Sequence, residues 1–268
     1  MPSRAGAGRF ADGRAPAYVQ RMIERETTDG IVTLRLAHGK ANALDVELLE
    51  ALTRELAEAA HARAVILTAS GPIFSAGVDL FRLTDGGEGY VRRFYPLLTE
   101  LVRSMLALPV PLVVAANGHA IAGGGAMVLG GDYRLLAEGS GRMGMPELLV
   151  GVPLPSAVLE LVRLAVAPPR IHPLLYLGQT YTPQDALAHG LVDEVVPPAE
   201  LQARAGEVAR QLASISPAAF ALNKRMLHAP ALDRIAATAA HDEEALALWL
   251  APETHDRIRA YLAKTVRK

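Results

Sequence analysis

The chain has 268 residues, 51% hydrophobic and 21% charged, with a formal net charge of −1. That balance suits one enzyme-sized globular unit, offers no general electrostatic attraction to nucleic acid or to a membrane surface, and contains no apolar run long enough to span a bilayer. With no cysteine, disulfides, thiolate metal sites and a cysteine nucleophile are excluded; the eight histidines show no metal-ligand spacing, and a cytoplasmic setting is expected.

Residues 1–20 carry Arg4, Arg9 and Arg14 among several Gly, Ala and Pro. They lack the apolar core of a secretory signal; the arginines and alanines fit a transit peptide loosely, but Gly and Pro spoil its amphipathic helix, so a flexible extension is the expectation. Strands are predicted near 21–27 and 30–36, followed by a helix from Asp45, as its N-cap, to Ala60. Ala64–Ala69 is a short apolar run of the kind covered on both faces, and it passes into Ser70–Leu80, a turn rich in small residues. The glycines of Asp85–Gly89 predict a mobile loop, and a helix is expected near 91–107. Pro111–Ala116 reads as a second buried strand. A β-β-α-β beginning with continued alternation of strand and helix places the chain in the α/β class.

After that second strand comes Asn117-Gly118-His119-Ala120-Ile121-Ala122-Gly123-Gly124-Gly125-Ala126, which opens a helix. Small residues bare the backbone there, and unpaired N–H groups at the positive end of a helix dipole suit a bound phosphate or an oxyanion formed during reaction. The spacing is not the dinucleotide fingerprint, and the triple glycine alone fits close helix packing equally well. Further on, Glu147 stands among Met143, Met145, Leu148, Leu149 and Val150, where a carboxylate should be partly desolvated and tuned toward the pKa of a useful base. His119 reads as a satisfied histidine, and Asp79 and Asp132 as side chains that fix turns. Beyond about 197 the pattern is almost wholly helical, with Ser216-Pro217 as a start signal and Pro230 and Pro252 as breaks; Leu246, Leu248, Trp249 and Leu250 suggest a buried face.

Several motifs together are distinctive: Phe74-Ser75-Ala76-Gly77-Val78-Asp79-Leu80, the glycine-rich stretch above, Met145-Pro146-Glu147-Leu148-Leu149-Val150-Gly151, Lys40-Ala41-Asn42-Ala43-Leu44, Asp132-Tyr133-Arg134 and Asn223-Lys224. From about Ile23 to at least Ala231 the chain resembles the crotonase, or enoyl-CoA hydratase/isomerase, superfamily. The resemblance implies a crotonase-like α/β spiral of β-β-α units over 21–200. A C-terminal helical region, 201–268, would pack against neighbours in a homotrimer or dimer of trimers. It further implies an acyl-CoA thioester as substrate, with coenzyme A part of that substrate and no separate cofactor, no metal, and neither nucleic acid nor membrane as partner. Residue by residue, it puts two oxyanion-hole amides at Val78 and Gly123 and a catalytic carboxylate at Glu147. Coenzyme- and acyl-binding positions fall on Lys40, Ala41, Ala76, Val78, Asp79, Leu80, Gly123 and Lys224, with Lys40 and Lys224 candidates for the phosphates.

Hydratases of that family use two glutamates, the first three residues after the helix-turn glycine; here that position is Ala126, and Met127 offers no carboxylate either. Gly151–Ser156 lacks the aspartate of other branches, with no carboxylate before Glu160. One base suffices to take a proton from C2 of a 3-enoyl thioester and return it to C4 while the oxyanion hole holds the dienolate. A delta-3 to delta-2 enoyl-CoA isomerase is therefore the expected activity. Hydration with a water held by one glutamate, thioester hydrolysis and a non-catalytic acyl-CoA binding role remain open alternatives.

Overall fold

The computed structural model describes residues 22–265; the extension expected at 1–20 lies outside the described residues. Strands β1 (Ile23–Thr28) and β2 (Ile31–Leu36) form an antiparallel hairpin in which Thr28 faces Ile31. Asp29 and Gly30 make its two-residue turn with φ of 53° and 77°, the backbone that matches the twist of the flanking strands. Helix α1 (Val46–Glu58) starts at its expected cap: the Asp45 carboxylate accepts the Leu48 amide at 2.8 Å.

Strands β3 (Ala64–Ala69) and β4 (Ile73–Ser75), the second inside the expected turn, lead to helices α2 (Leu80–Asp85) and α3 (Gly87–Ala107). The mobile loop expected at 85–89 is corrected: Asp85 ends one helix, Gly87 begins the next, and Gly86 alone joins them. A Cβ at Gly86 would fall 2.6 Å from the Tyr90 Cβ, so the glycine serves a tight helix–helix joint.

The chain continues through β5 (Leu112–Ala116), β6 (His119–Ile121), α4 (Gly123–Leu129), β7 (Tyr133–Ala137) and β8 (Met143–Gly144) to a 3-10 turn at Glu147–Val150. Then follow α5 (Ser156–Ala165), α6 (Pro168–Leu175), β9 (Thr180–Tyr181), α7 (Pro183–Ala188), β10 (Glu194–Val196), α8 (Leu201–Ala213), α9 (Pro217–Ala237), α10 (Ala239–Leu250) and α11 (Pro252–Thr265).

One sheet runs β1-β2-β3-β5-β7-β10 and a second runs β4-β6-β8-β9. Each of β3, β5 and β7 in the first sheet is followed directly by β4, β6 and β8 in the second, so every turn of the chain lays one strand on each sheet. That repeat is the spiral of β-β-α units. The inner strands β3 and β5 of the larger sheet are covered on both faces. Ile66, Val113, Ala115 and Leu135 meet Leu201, Ala205 and Val208 of α8 on one side, while Val65, Leu67 and Val114 join the main core with α1 and α3 on the other. Double burial explains the nearly continuous apolar runs of β3 and β5, where the one polar residue, Thr68, donates to the Ala115 carbonyl at 2.8 Å.

In the C-terminal helices two expectations change. Pro230 does not break α9, which runs through it; the carbonyl its missing N–H leaves free belongs to Met226, 65% exposed, where the loss costs least. Of the expected apolar face on α10, Trp249 is buried against Phe94 and Tyr95 and donates from Nε1 to the Pro153 carbonyl at 2.8 Å, whereas Leu248 points outward. Asp242 locks α10 to α3 and α5: it accepts from the Tyr95 hydroxyl at 2.9 Å and from the Ser156 amide and hydroxyl at 2.9 and 2.7 Å. Burial, with Asp242 beside it, pushes the Tyr95 phenol well above its ordinary pKa.

Removing that carboxylate leaves three donors without an acceptor. Asp242→Ala is expected to lower unfolding free energy by about 2 kcal/mol, read as a lower urea midpoint with unchanged slope; an unchanged midpoint contradicts this tie.

Candidate active site

Two loops are zipped together ahead of α1 and α2. The Ala76 amide donates to the Ala41 carbonyl at 3.0 Å, the Ser75 hydroxyl to the Asn42 carbonyl at 2.8 Å, and the buried Asn42 amide to the Ile73 carbonyl at 2.9 Å. Leu44 then forms a parallel bridge with Val78: its N–H donates to the Gly77 carbonyl at 2.7 Å and its carbonyl accepts the Asp79 amide at 2.9 Å. A parallel bridge engages the groups on either side of Val78, so the Val78 N–H itself points away from Leu44. It has no acceptor among the described residues. Asp79 caps α2 by accepting the Arg82 amide at 3.0 Å, as a turn-fixing aspartate should, and Leu80 begins that helix, half-buried.

The second loop arrives from β6. Gly77, at φ 81°, is where the two meet: a Cβ there would fall 2.6 Å from the Ala122 Cβ and 3.1 Å from the Gly123 nitrogen. A Cβ on Gly123 would fall 2.5 Å from Leu44 Cδ1, and one on Gly125 would fall 2.9 Å from the Gly144 carbonyl oxygen; one on Gly124 would collide with the Ser75 carbonyl. Close approach and bared amides therefore explain the same three glycines. Gly123 is the first residue of α4, and its N–H likewise lacks an acceptor among the described residues. Ala122 before it holds φ 55°, an unfavourable backbone for an L-residue, anchored by its own N–H on the Gly144 carbonyl at 2.8 Å. Leu44 thus touches both segments, with its backbone beside Val78 and its side chain over Gly123.

Gly144 ends β8, which pairs with β6, and the chain leaving β8 passes Gly125 of α4 at Met145 before it reaches Glu147 in the 3-10 turn. Helix α11 packs over this turn and over α2. Glu147 as a residue is half-buried, yet its Oε2 is sealed from solvent and has no hydrogen-bond partner. Burial pushes the carboxyl from 4.5 up to about 7, and the Glu147 amide opposes this weakly. One turn along α4 from Gly123, Ala126 is buried and presents only a methyl group.

Among the expected coenzyme contacts, Ala41 and Ala76 are bonded to each other, and Lys40 is exposed. The expected contact of Lys224 with a phosphate is corrected. Its ammonium is buried on α9, 2.6 Å from Asp132 Oδ2 and 3.3 Å from the Val110 carbonyl, so its charge is already matched within the fold. Burial lowers its pKa, and Asp132 opposes that shift. Asp132 also accepts the Leu112 amide at 2.8 Å. This pair borders a cavity of about 440 Å³, with Arg134, Phe220 and Leu227, that holds none of Val78, Gly123 and Glu147. Leu44 and Asn42 were within reach of sequence reasoning as parts of a motif. Their role was not, because it consists of pairing with a segment some thirty residues away.

The family model described as enoyl-CoA hydratase/isomerase matches residues 26–264. The human mitochondrial enoyl-CoA hydratase domain-containing protein 3 is 31% identical over 225 residues, 82% of this chain and 72% of that protein. Rat mitochondrial enoyl-CoA delta isomerase 1 is 29% identical over 86% of this chain and 79% of its own length. The crystal structure of human mitochondrial delta3-delta2-enoyl-CoA isomerase superposes with a TM-score of 0.88 at 25% identity, covering 92% of this chain and 99% of that one. These relatives are mitochondrial by name, which overturns the cytoplasmic setting expected from composition.

Glu147 holds its proton more tightly folded than unfolded, so ionising it costs the fold. The penalty is absent below pH 4.5, grows between 4.5 and about 7, and is complete above that, at on the order of 3 kcal/mol. Glu147→Gln is accordingly expected to raise Tm over wild type at pH 8 and to leave it unchanged at pH 4, measured by differential scanning calorimetry. An equal effect at both pH values contradicts a buried, unpaired carboxylate.

Proposed function

The chain belongs to the enoyl-CoA hydratase/isomerase family, and we propose that within it the protein moves the double bond of a 3-enoyl-CoA to the 2 position. The observation that carries this reading is the one enclosed acid left unpartnered among the described residues: Glu147 Oε2 is buried without a hydrogen bond and its carboxyl has a pKa of about 7, while Ala126 offers no second acid.

In this mechanism the thioester carbonyl accepts the Val78 and Gly123 N–H groups. Ionised Glu147 takes a proton from C2, the electron pair delocalises into the carbonyl as a dienolate, and the same carboxyl returns the proton to C4. Bond order and charge balance without water or a separate cofactor. The two amides act more strongly on the dienolate than on the neutral thioester, so they lower the barrier rather than merely bind substrate. A base of pKa about 7 combines a large ionised fraction near neutrality with useful basicity.

Exposed Lys40 is the remaining lysine for coenzyme phosphates among the positions singled out above. The exposed Leu222, Met226 and Leu227 on α9 support assembly with further copies, as a homotrimer or dimer of trimers. Hydration is the second reading, favoured by the hydratase-domain relatives.

Mass-resolved product analysis with a trans-3-enoyl-CoA and, separately, a trans-2-enoyl-CoA discriminates these readings. Isomerisation keeps the mass and gives no hydroxyacyl product. On the 3-enoyl substrate, kcat/KM should rise with pH through about 7 as the base ionises, and Glu147→Gln should lower kcat by roughly 10³-fold or more. Efficient addition of water to the 2-enoyl substrate would replace this reading with hydration.

A further inference from the structure

Leu44 is held against Val78 from behind by the next residue. Asp45 is buried, and its two oxygens do different things. Oδ1 caps α1 through the Leu48 amide. Oδ2 accepts Arg82 Nη1 at 2.8 Å and lies 2.7 Å from His38 Nε2, which must carry the proton because a carboxylate only accepts. Burial would raise the Asp45 carboxyl, yet the Leu48 amide, His38 and Arg82 outweigh it and hold it below the ordinary range. Arg82 continues to Glu47 at 2.5 and 3.0 Å and lies over the Tyr90 ring, 5.3 Å from its centroid.

Capping α1 requires one carboxylate oxygen. The other closes a ring: residues 38–45 and 77–82 are joined at one end by the Leu44–Val78 bridge and at the other by Asp45 between His38 and Arg82. Arg82 in turn is fixed to Asp79 through the start of α2. The segment bearing the Val78 N–H is therefore held by a backbone bond on each side of Val78 and, further along, by an ion pair.

We propose that Asp45 and Arg82 are positioning residues that aim the Val78 N–H at the thioester carbonyl oxygen. This rests on the reading of Val78 as an oxyanion donor. Release of the ion pair lets the 77–82 segment rotate about the Leu44 bridge. A misdirected N–H loses most where charge has developed, so the transition state suffers more than the bound substrate.

Asp45→Asn keeps a competent helix cap and a neutral hydrogen-bond partner while removing the charge. Arg82→Gln removes it from the other side at a half-exposed residue, and so serves if the first variant fails to fold. Arg93→Gln, which breaks the surface pair between α3 and Glu50 of α1, is the control. Two readouts are taken: kcat and KM with a trans-3-enoyl-CoA, and the near-ultraviolet enolate band of a bound 3-oxoacyl-CoA, which reports carbonyl polarisation without turnover.

Asp45→Asn and Arg82→Gln are each expected to lower kcat at least about tenfold with KM within about twofold, and to weaken the enolate band. The double variant should be no worse than the worse single one, Arg82→Lys should recover part of the loss, and Arg93→Gln should match wild type. Wild-type kcat and an undiminished band in Asp45→Asn, with an active wild type, overturn the positioning role and leave the oxyanion reading standing. A wild type that neither isomerises nor forms an enolate band overturns both.

Discussion

At Gly77 and Ala122 two stretches of backbone approach so closely that a Cβ on Gly77 would lie 2.6 Å from the one already on Ala122. The site depends on this contact, because it sets two outward-facing amides, at Val78 and Gly123, beside one another. Neither stretch would hold that position alone. The first is zipped to residues 41–44 by backbone and side-chain bonds, and the second carries an unfavourable φ at Ala122 that the Gly144 carbonyl secures. The spiral provides the frame: β4, β6 and β8 lie side by side in the small sheet, so the segments leaving those strands emerge at one edge. Leu44, from the segment between β2 and α1, has its backbone beside one amide-bearing segment and its side chain against the other.

The same arrangement asks the fold to tolerate a carboxylate that it does not satisfy. Glu147 sits in a short 3-10 turn with an enclosed, unpartnered oxygen, and the resulting penalty raises its proton affinity. Other buried or largely enclosed acids contrast with it. Asp45 is matched by His38 and Arg82, Asp132 by Lys224, and Glu160 by Arg163 and Arg234. Where a carboxylate holds structure here, cations or N–H groups surround it. Among the described residues the one left with a buried, unpartnered oxygen is Glu147, consistent with stability being traded for basicity at that position.

Much of this was legible in the sequence for identifiable reasons. β3 and β5 stood out because double burial leaves a nearly continuous apolar run, and Asp45 because a cap is a local signal; the environment of Glu147 was legible only in part, since Met143 and Met145 are buried while Leu148 and Leu149, also expected to enclose it, are exposed. Local signals misled where the deciding contact is distant. The glycines at 85–89 resemble a loop until Tyr90 is seen against Gly86, and Pro230 resembles a break although exposed Met226 lets α9 absorb it. Lys224 resembled a phosphate ligand by motif, but its partner, Asp132, lies 92 residues away. The Leu44 bridge and the Asp45 ring were invisible for the same reason, being made of pairings between segments that no spacing connects.

The central claim is that one enclosed carboxyl performs both proton transfers. It is tested most directly with a 3-enoyl-CoA deuterated at C2, by locating the label in the 2-enoyl product formed in ordinary water. A sealed Glu147 that carries the proton from C2 to C4 predicts product with deuterium retained at C4. Product with only solvent hydrogen at C4, formed at the same rate, would contradict the account by requiring a second acid or open exchange with water.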